Sequence, residues 1–247
     1  MVVANDQTRD SISAVTLTLR ISDVAPATPR ARLVRIDLDG HTFDYTAGQA
    51  ILVGDHGGAE KRAYSIASAP EDARRDRAIE LLVGVRENGE AGDHLTLRAG
   101  VDVDVDGPLG TFTFPEAIAE PNVVFIAGGT GIAPLRAMLR HAIASRPAPG
   151  RVGLLYSART PDEFAFADEF RALAARGAIE FRQTITREAA GDWAGARGRI
   201  DREALRPLVH AAETLCFICG PRSLVDDMPK LLLEMGVPKE RVRIEEW

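Results

Sequence analysis

The sequence predicts two domains of different class: an N-terminal antiparallel β-barrel over residues 1–116, then an α/β doubly wound parallel-sheet domain over residues 117–247. Three observations predict this. The first half alternates apolar and polar residues with period two in short runs. The second half alternates continuous apolar strands with helix-length segments, the pattern of a parallel sheet covered on both faces. The change falls at a polar, Pro-containing stretch, "FPEAIAEPN" (Phe114 to Asn122). A length of 247 residues suits two domains of ordinary size.

Taken in order, the barrel strands are expected in "AVTLTLRISDV", "ARLVRIDLDG", "AIELLVGVREN" and "VDVDVDGPLGTFTF", bounded by Gly, Asp and Pro. The one helical turn expected in this half spans Asp93 to Leu97. After Pro115 come strand "NVVFIAGG", helix "APLRAMLRHAIAS", strand "RVGLLYSA", helix "DEFAFADEFRALAARG" and strand "IEFRQTIT". Helix "DREALRPLV", strand "TLCFICG", helix "SLVDDMPKLLLEMG" and a last strand "RVRIEEW" complete the chain.

Composition excludes several function classes. Hydrophobic residues make up 45% and charged residues 27%, so the chain buries a normal core and is not disordered. The net charge of −6 comes from interspersed acids and bases without a basic block, which argues against nucleic acid as a partner. No basic start with an apolar run marks a signal peptide, and no stretch of about 18 uncharged apolar residues occurs. A soluble cytoplasmic protein with no membrane partner is the expectation, and a monomer. Only Cys216 and Cys219 are present; three apart on a buried strand, they point to opposite faces and do not meet. Two cysteines cannot hold a four-cysteine iron–sulfur cluster, and no metal site is expected.

Two stretches carry chemistry. Gly128, Gly129 and Gly131 sit between a strand and a helix, where backbone amides at the helix start can face an anion without a Cβ in the way. The third Gly of the usual dinucleotide fingerprint is replaced by Pro134, which suits a first helical turn. After the second strand, where NAD enzymes often carry an acid, "YSARTPDE" places Ser157 and Arg159; Asp162 and Glu163 read as helix-start acids. That favours NADPH. The other stretch is "KRAYSIASAP": on a strand Arg62 and Tyr64 share one face and Ala63 and Ser65 the other, suiting a ligand both anionic and planar.

RxYS followed at a distance by GGTGxxP and then CGP resembles the ferredoxin–NADP reductase superfamily of flavoprotein reductases. "YTAGQAI" (Tyr45 to Ile51) and "ELLVGVRENGEAGDHL" (Glu80 to Leu95) are similar to its barrel segments, so the resemblance covers almost the whole chain. It implies a barrel that binds FAD, or less readily FMN, and an α/β domain that binds NADPH or NADH as electron donor. By position, Arg62 would contact the flavin phosphate, Tyr64 would stack on the isoalloxazine, and Ser65, next to Ala63 and Tyr64 in the motif, would lie near N5. Val83, Gly84 and Val85 would offer backbone contacts along the ribityl chain, and Ala91, Gly92 and Asp93 amides beside the phosphates. The family commonly has Ser or Thr where Gly92 stands, so one hydroxyl contact is missing.

The same resemblance implies that Gly129, Thr130, Gly131 and Pro134 cradle the nicotinamide dinucleotide, and that Cys219, Gly220 and Pro221 form the wall beside the nicotinamide. Glu245, Glu246 and Trp247 fit a terminal pattern in which an aromatic covers the flavin until nicotinamide displaces it. Trp193 and Arg199 receive no role. The implied reaction is hydride transfer from C4 of NAD(P)H to flavin N5, then release of electrons to an external acceptor. A small redox protein such as ferredoxin or flavodoxin, feeding an oxygenase, is the first reading. Reduction of free flavin, ferric complexes or quinones is the second, and a non-catalytic regulatory subunit the third.

Overall fold

The structure is a computed structural model that describes residues 15–145, 150–187 and 193–246. Its first half is a six-stranded antiparallel sheet of β1 (Val15–Thr28), β2 (Ala31–Asp37), β3 (Ala50–Asp55), β4 (Arg62–Ser65), β5 (Ala78–Gly84) and β6 (Asp102–Leu109), in the order β4-β3-β6-β1-β2-β5. The two outer strands meet: Ile66 bridges to Leu81, and the Ala67 N–H donates to the Glu80 carbonyl at 2.7 Å, which closes the sheet into a barrel. Alternate residues, among them Leu19, Ile21, Val34, Ile36, Ile51, Val53, Val103 and Val105, point inward and fill it, as the period-two pattern requires.

Two details of this half correct the sequence reading. A helix, α1 (Pro70–Asp76), follows β4 in a stretch read as non-helical. Pro70 at its first turn, Glu71 and Asp72 at its positive end, and Arg77 in the left-handed region (φ 52°) are ordinary start and stop signals. Asp93 to Leu97, read as a helical turn, forms none. The Asp55 carboxylate takes both the Thr96 N–H (2.7 Å) and hydroxyl (2.6 Å), and this long-range hold replaces local helical bonding.

The second half is a six-stranded parallel sheet in the order β10-β9-β8-β7-β11-β12, built from β7 (Asn122–Gly128), β8 (Arg151–Ala158), β9 (Glu180–Ile185), β10 (Ala196–Arg197), β11 (Thr214–Gly220) and β12 (Val242–Glu246). β7 and β11 are buried along their whole length, hence their unbroken apolar sequences. α2 (Ile132–Ser145), α3 (Ala167–Ala175), α4 (Arg202–Leu205) and α5 (Arg222–Glu234) accompany the strands. The helix expected from Asp162 begins five residues later: Pro161–Glu163 form a 3-10 turn, and Phe166 at φ 58° breaks the path before Ala167. The "DREALRPLV" helix shortens to one turn capped by Asp201, whose side chain accepts from the Ala204 N–H. Cys216 and Cys219 are buried, free, and packed in different clusters on the two faces of β11, as the spacing predicts. Among the described residues no helix is long and apolar enough to cross a membrane.

The halves share a core. Ala31, Ala47, Ala67, Leu82, Phe112 and Phe114 from the first pack in the same cluster as β7, α2 and β11 residues of the second. Phe114 stacks on Phe125 and Phe217 at centroid distances of 6.4 and 5.6 Å. Beside this seam lies Arg136 of α2, 7% exposed. It reaches the Ala67 carbonyl (2.9 Å), Glu80 (2.7 Å) and Glu169 (2.8 Å), with its guanidinium 4.2 Å from the Phe166 ring centre.

Candidate active site

On the barrel side the site begins at β4. Arg62 is exposed and its Nε donates to Glu60 at 2.8 Å. Tyr64 is half-buried; burial raises its phenol, while Arg62 acts the other way. The Tyr64 hydroxyl lies 2.7 Å from Nε2 of His94, and the two rings run parallel within 11° at 6.0 Å. His94 is 3% exposed, its Nδ1 has no hydrogen-bond partner, and burial lowers its pKa. Sequence reasoning missed this residue although it stands inside the quoted "GDHL" stretch, because nothing in a sequence pattern places it against Tyr64.

Around that pair, Ala63 is exposed and Ser65 half-buried on β4. Gly84 ends β5 in open space, Val83 is sealed in the barrel core, and the Val85 N–H is held by the Arg30 carbonyl at 2.9 Å. Gly92 has φ +124°, a conformation that favours glycine. A Cβ there would sit 3.2 Å from His94 Nδ1 and 3.7 Å from Arg86 Nη2, so the turn of Ala91, Gly92 and Asp93 is hemmed by an imidazole and a cation.

On the other side, β7 and β11 are adjacent strands at the point where the strand order reverses, where open α/β sheets bind ligands beyond their carboxyl ends. The two ends touch closely. A Cβ on Gly220 would lie 3.1 Å from Gly128, and one on Gly131 would overlap the Cys219 carbonyl. Gly129 has φ +56°, and its carbonyl accepts from the buried Tyr156 hydroxyl at 2.9 Å. The turn is therefore fixed from below while Gly129 and Thr130 remain partly open above.

Two clefts meet here. The first, about 470 Å³, is lined by Gly129, Ser157, Arg159, Arg187, Arg199 and Pro221 among others. The second, about 400 Å³, runs from Gly129 and Thr130 to Gly84, Val85 and Arg86 of the barrel. Gly131 and Pro134 are buried behind the turn, and Cys219 and Gly220 behind Pro221, so these four shape the clefts without lining them. Cys219 is 1% exposed; burial, then the nearby Glu245, push its thiol well above the usual range. Its sulfur lies 4.0 Å from a Glu245 carboxylate oxygen, and burial pushes that carboxyl up to about 7. Trp247 lies outside the described residues. Arg187 was legible only as the residue leaving β9; Arg199, given no role from sequence, enters the first cleft.

These features fit two phosphate-bearing cofactors: a glycine turn that side chains would fill, arginines at both ends, and a half-buried tyrosine face. Residues 19–114 match the oxidoreductase FAD-binding domain family, and residues 125–230 the oxidoreductase NAD-binding domain family. Ferredoxin–NADP reductase B of Sorangium cellulosum is 34% identical over 248 residues, covering 96% of this chain and 99% of that protein. The chain belongs to the ferredoxin–NADP reductase-like flavin oxidoreductases.

As a member of this family it is an NAD(P)H-dependent flavin oxidoreductase, with FAD and NAD(P)H as cofactors. The Amycolatopsis cytochrome P450 reductase GcoB superposes with a TM-score of 0.83 at 26% identity, covering 96% of this chain and 71% of that one. A ferredoxin NADP+ reductase from Neisseria gonorrhoeae, solved with FAD and NADP, shares the fold (TM-score 0.77, 23% identity, 94% and 98% coverage).

Proposed function

We propose that the protein passes electrons from NADPH through FAD to a separate small redox protein such as ferredoxin or flavodoxin, one that serves an oxygenase. The observation that carries the reading is the meeting of the two clefts at Gly129, one leading to the barrel and the other to an arginine-lined end. The names of the relatives, a ferredoxin–NADP reductase and a cytochrome P450 reductase, support an external carrier. So do the cysteines: Cys216 and Cys219 face opposite ways and provide no thiolate pair for a cluster in this chain.

In this reading residues 1–116 hold the flavin and 117–247 the nicotinamide dinucleotide. Bound FAD supplies the change from two-electron hydride to electrons delivered singly. Tyr64 gives the ring system a flat apolar wall, Arg62 leaves Glu60 for a phosphate oxygen, and the Gly92 turn lets Ala91 and Asp93 amides approach the phosphates without a side chain between. Ser65 would lie near the ring's hydride-accepting atom, Gly84 and Val85 would follow the ribityl chain, and Val83 anchors that strand in the core. Gly129 and Thr130 face the dinucleotide, while Gly131, Pro134, Cys219 and Gly220 hold the turn and Pro221 walls the cleft. Burial pushes the Glu245 carboxyl, 4.0 Å from the Cys219 sulfur, up to about 7, so it exchanges a proton near neutral pH beside the cleft wall. The protein's part in the hydride step is to fix two rings in contact and keep water out.

Ser157, Arg159, Arg187 and Arg199 line one cleft, a donor set suited to a 2′-phosphate, which supports NADPH over NADH. The test is an absorption spectrum of the purified protein followed by anaerobic reduction with NADPH and NADH in parallel. Colourless protein that fails to take up added FAD refutes the reading. Arg159→Ala should weaken NADPH more than NADH; equal losses refute the cofactor preference.

A further inference from the structure

We propose that the Arg30–Glu163 ion pair is a placeholder in the nucleotide cleft, and that Arg30 leaves Glu163 to bind the pyrophosphate of the incoming dinucleotide. The inference rests on the reading of that cleft as the NAD(P)H site. Arg30 Nη2 donates to Glu163 Oε2 at 2.8 Å, a contact that crosses from the barrel to the α/β half. Both residues line both clefts, together with Gly129 and Arg159. A dinucleotide stretched from Ser157 and Arg159 to Thr130 and Pro221 passes this shared portion with its two phosphates.

The local geometry lets the arginine switch without moving the fold. The Arg30 N–H donates to Thr28 Oγ1 at 3.2 Å and its carbonyl accepts from Val85 at 2.9 Å, so its backbone is tied to the strand end beside the flavin side. Its side chain is 47% exposed and free to turn, while the Glu163 side chain is 17% exposed and sits on a 3-10 turn. A carboxylate beside Arg159, Arg187 and Arg199 opposes an incoming polyanion, and pairing with Arg30 neutralises it until the ligand arrives. Pyrophosphate offers a guanidinium more charge and a bidentate partner, so it displaces the carboxylate. Asp227 pairs with Arg199 in the same cleft at a looser 3.7 Å.

The two members of the pair therefore act on binding with opposite sign, which a mere strut does not do. The experiment titrates FAD-loaded protein with NADP+, following the flavin difference spectrum and the flavin released. Arg30→Ala should raise the NADP+ Kd about tenfold, the value of one charge-assisted hydrogen bond. Arg30→Lys should give a smaller rise, because charge stays and the fork is lost. Glu163→Gln should lower the Kd about two- to fivefold, by the strength of a half-exposed pair. FAD should remain bound in all three. Weakening by both Arg30→Ala and Glu163→Gln, or no change in either, overturns the placeholder while leaving the cleft assignment intact. Loss of FAD from Arg30→Ala also overturns it, by placing the arginine in the flavin half. Failure of the unaltered protein to bind NADP+ or NAD+ refutes the cleft assignment and the placeholder together.

Discussion

Arg136→Met tests how the two halves are held in register. The guanidinium is 7% exposed and supplies charge-assisted bonds to Glu80 and Glu169 and one to the Ala67 carbonyl. Methionine fills comparable space but leaves Glu80 without its cation and the carbonyl without its donor. Breaking a buried pair from one side costs about 3–5 kcal/mol. Glu169 keeps Arg140 at 2.7 Å, which places the expected loss near the lower end, about 3 kcal/mol. For a chain of this size that corresponds to a fall in Tm of about 6–12 °C. The assay is thermal unfolding of FAD-loaded protein followed by circular dichroism and flavin fluorescence. Ala67 lies two residues beyond Ser65, and Glu80 three before Val83, so the variant should also slow hydride transfer with flavin still bound. Glu80→Gln, which keeps an acceptor for Arg136, should cost less. A change of Tm within about 2 °C for Arg136→Met, or a larger loss for Glu80→Gln, refutes the clasp.

Gly131→Ala should destabilise by about 1–3 kcal/mol or more, because the new Cβ meets the Cys219 backbone and cannot be accommodated by a rotamer change. It should weaken NADP+ as well; unaltered Tm and Kd would show that the turn and β11 can part freely. His94→Phe keeps a ring beside Tyr64 but strips the hydroxyl of its partner at 2.7 Å, at a cost of about 1–3 kcal/mol. FAD should dissociate faster, read by the return of free-flavin fluorescence, and an unchanged rate removes His94 from the flavin site. Burial raises the Glu245 carboxyl from 4.5 to about 7, so the folded state holds a proton that the unfolded chain has released. Its contribution to stability is full at acid pH and declines as pH rises from about 4.5 through 7. Glu245→Gln should flatten that decline in Tm against pH; a profile parallel to that of the unaltered protein contradicts the assignment.

Much of this was legible in the sequence for a physical reason: strand and helix periodicities are local. The doubly wound half read clearly because β7 and β11 are buried on both faces and admit no polar residue until Thr214 and Asn122 at their starts. The opposite orientation of Cys216 and Cys219 followed from strand geometry alone. α1 was lost because its seven residues carry "PEDARRD", a run with one apolar side chain besides the proline and no helical stripe to detect. The Asp93–Leu97 turn failed because its partner, Asp55, lies 41 residues away. The same limit hid His94, Arg30 and Arg136: each owes its place to a contact across the fold, and single residues of that kind leave no periodic trace. Pro134 and Gly131 kept their motif positions with buried side-chain sites, because the motif marks a turn and does not say which of its atoms face outward.

The distribution of contacts between the halves follows from what the site must do. Hydride transfer needs two rings held at van der Waals distance, so the parts of the two halves beneath them must not slide. The apolar seam of Phe112, Phe114, Phe125 and Phe217 and the buried Arg136 clasp supply that hold between the halves. Nucleotide must also enter and leave on every turnover, so whatever spans the cleft has to break cheaply. There the Arg30–Glu163 ion pair, its arginine side chain 47% exposed, spans the two halves, and the exposure of one partner keeps such a pair weak, about 1 kcal/mol. The barrel and the α/β half are thus fastened strongly where registry matters and weakly where the ligand passes.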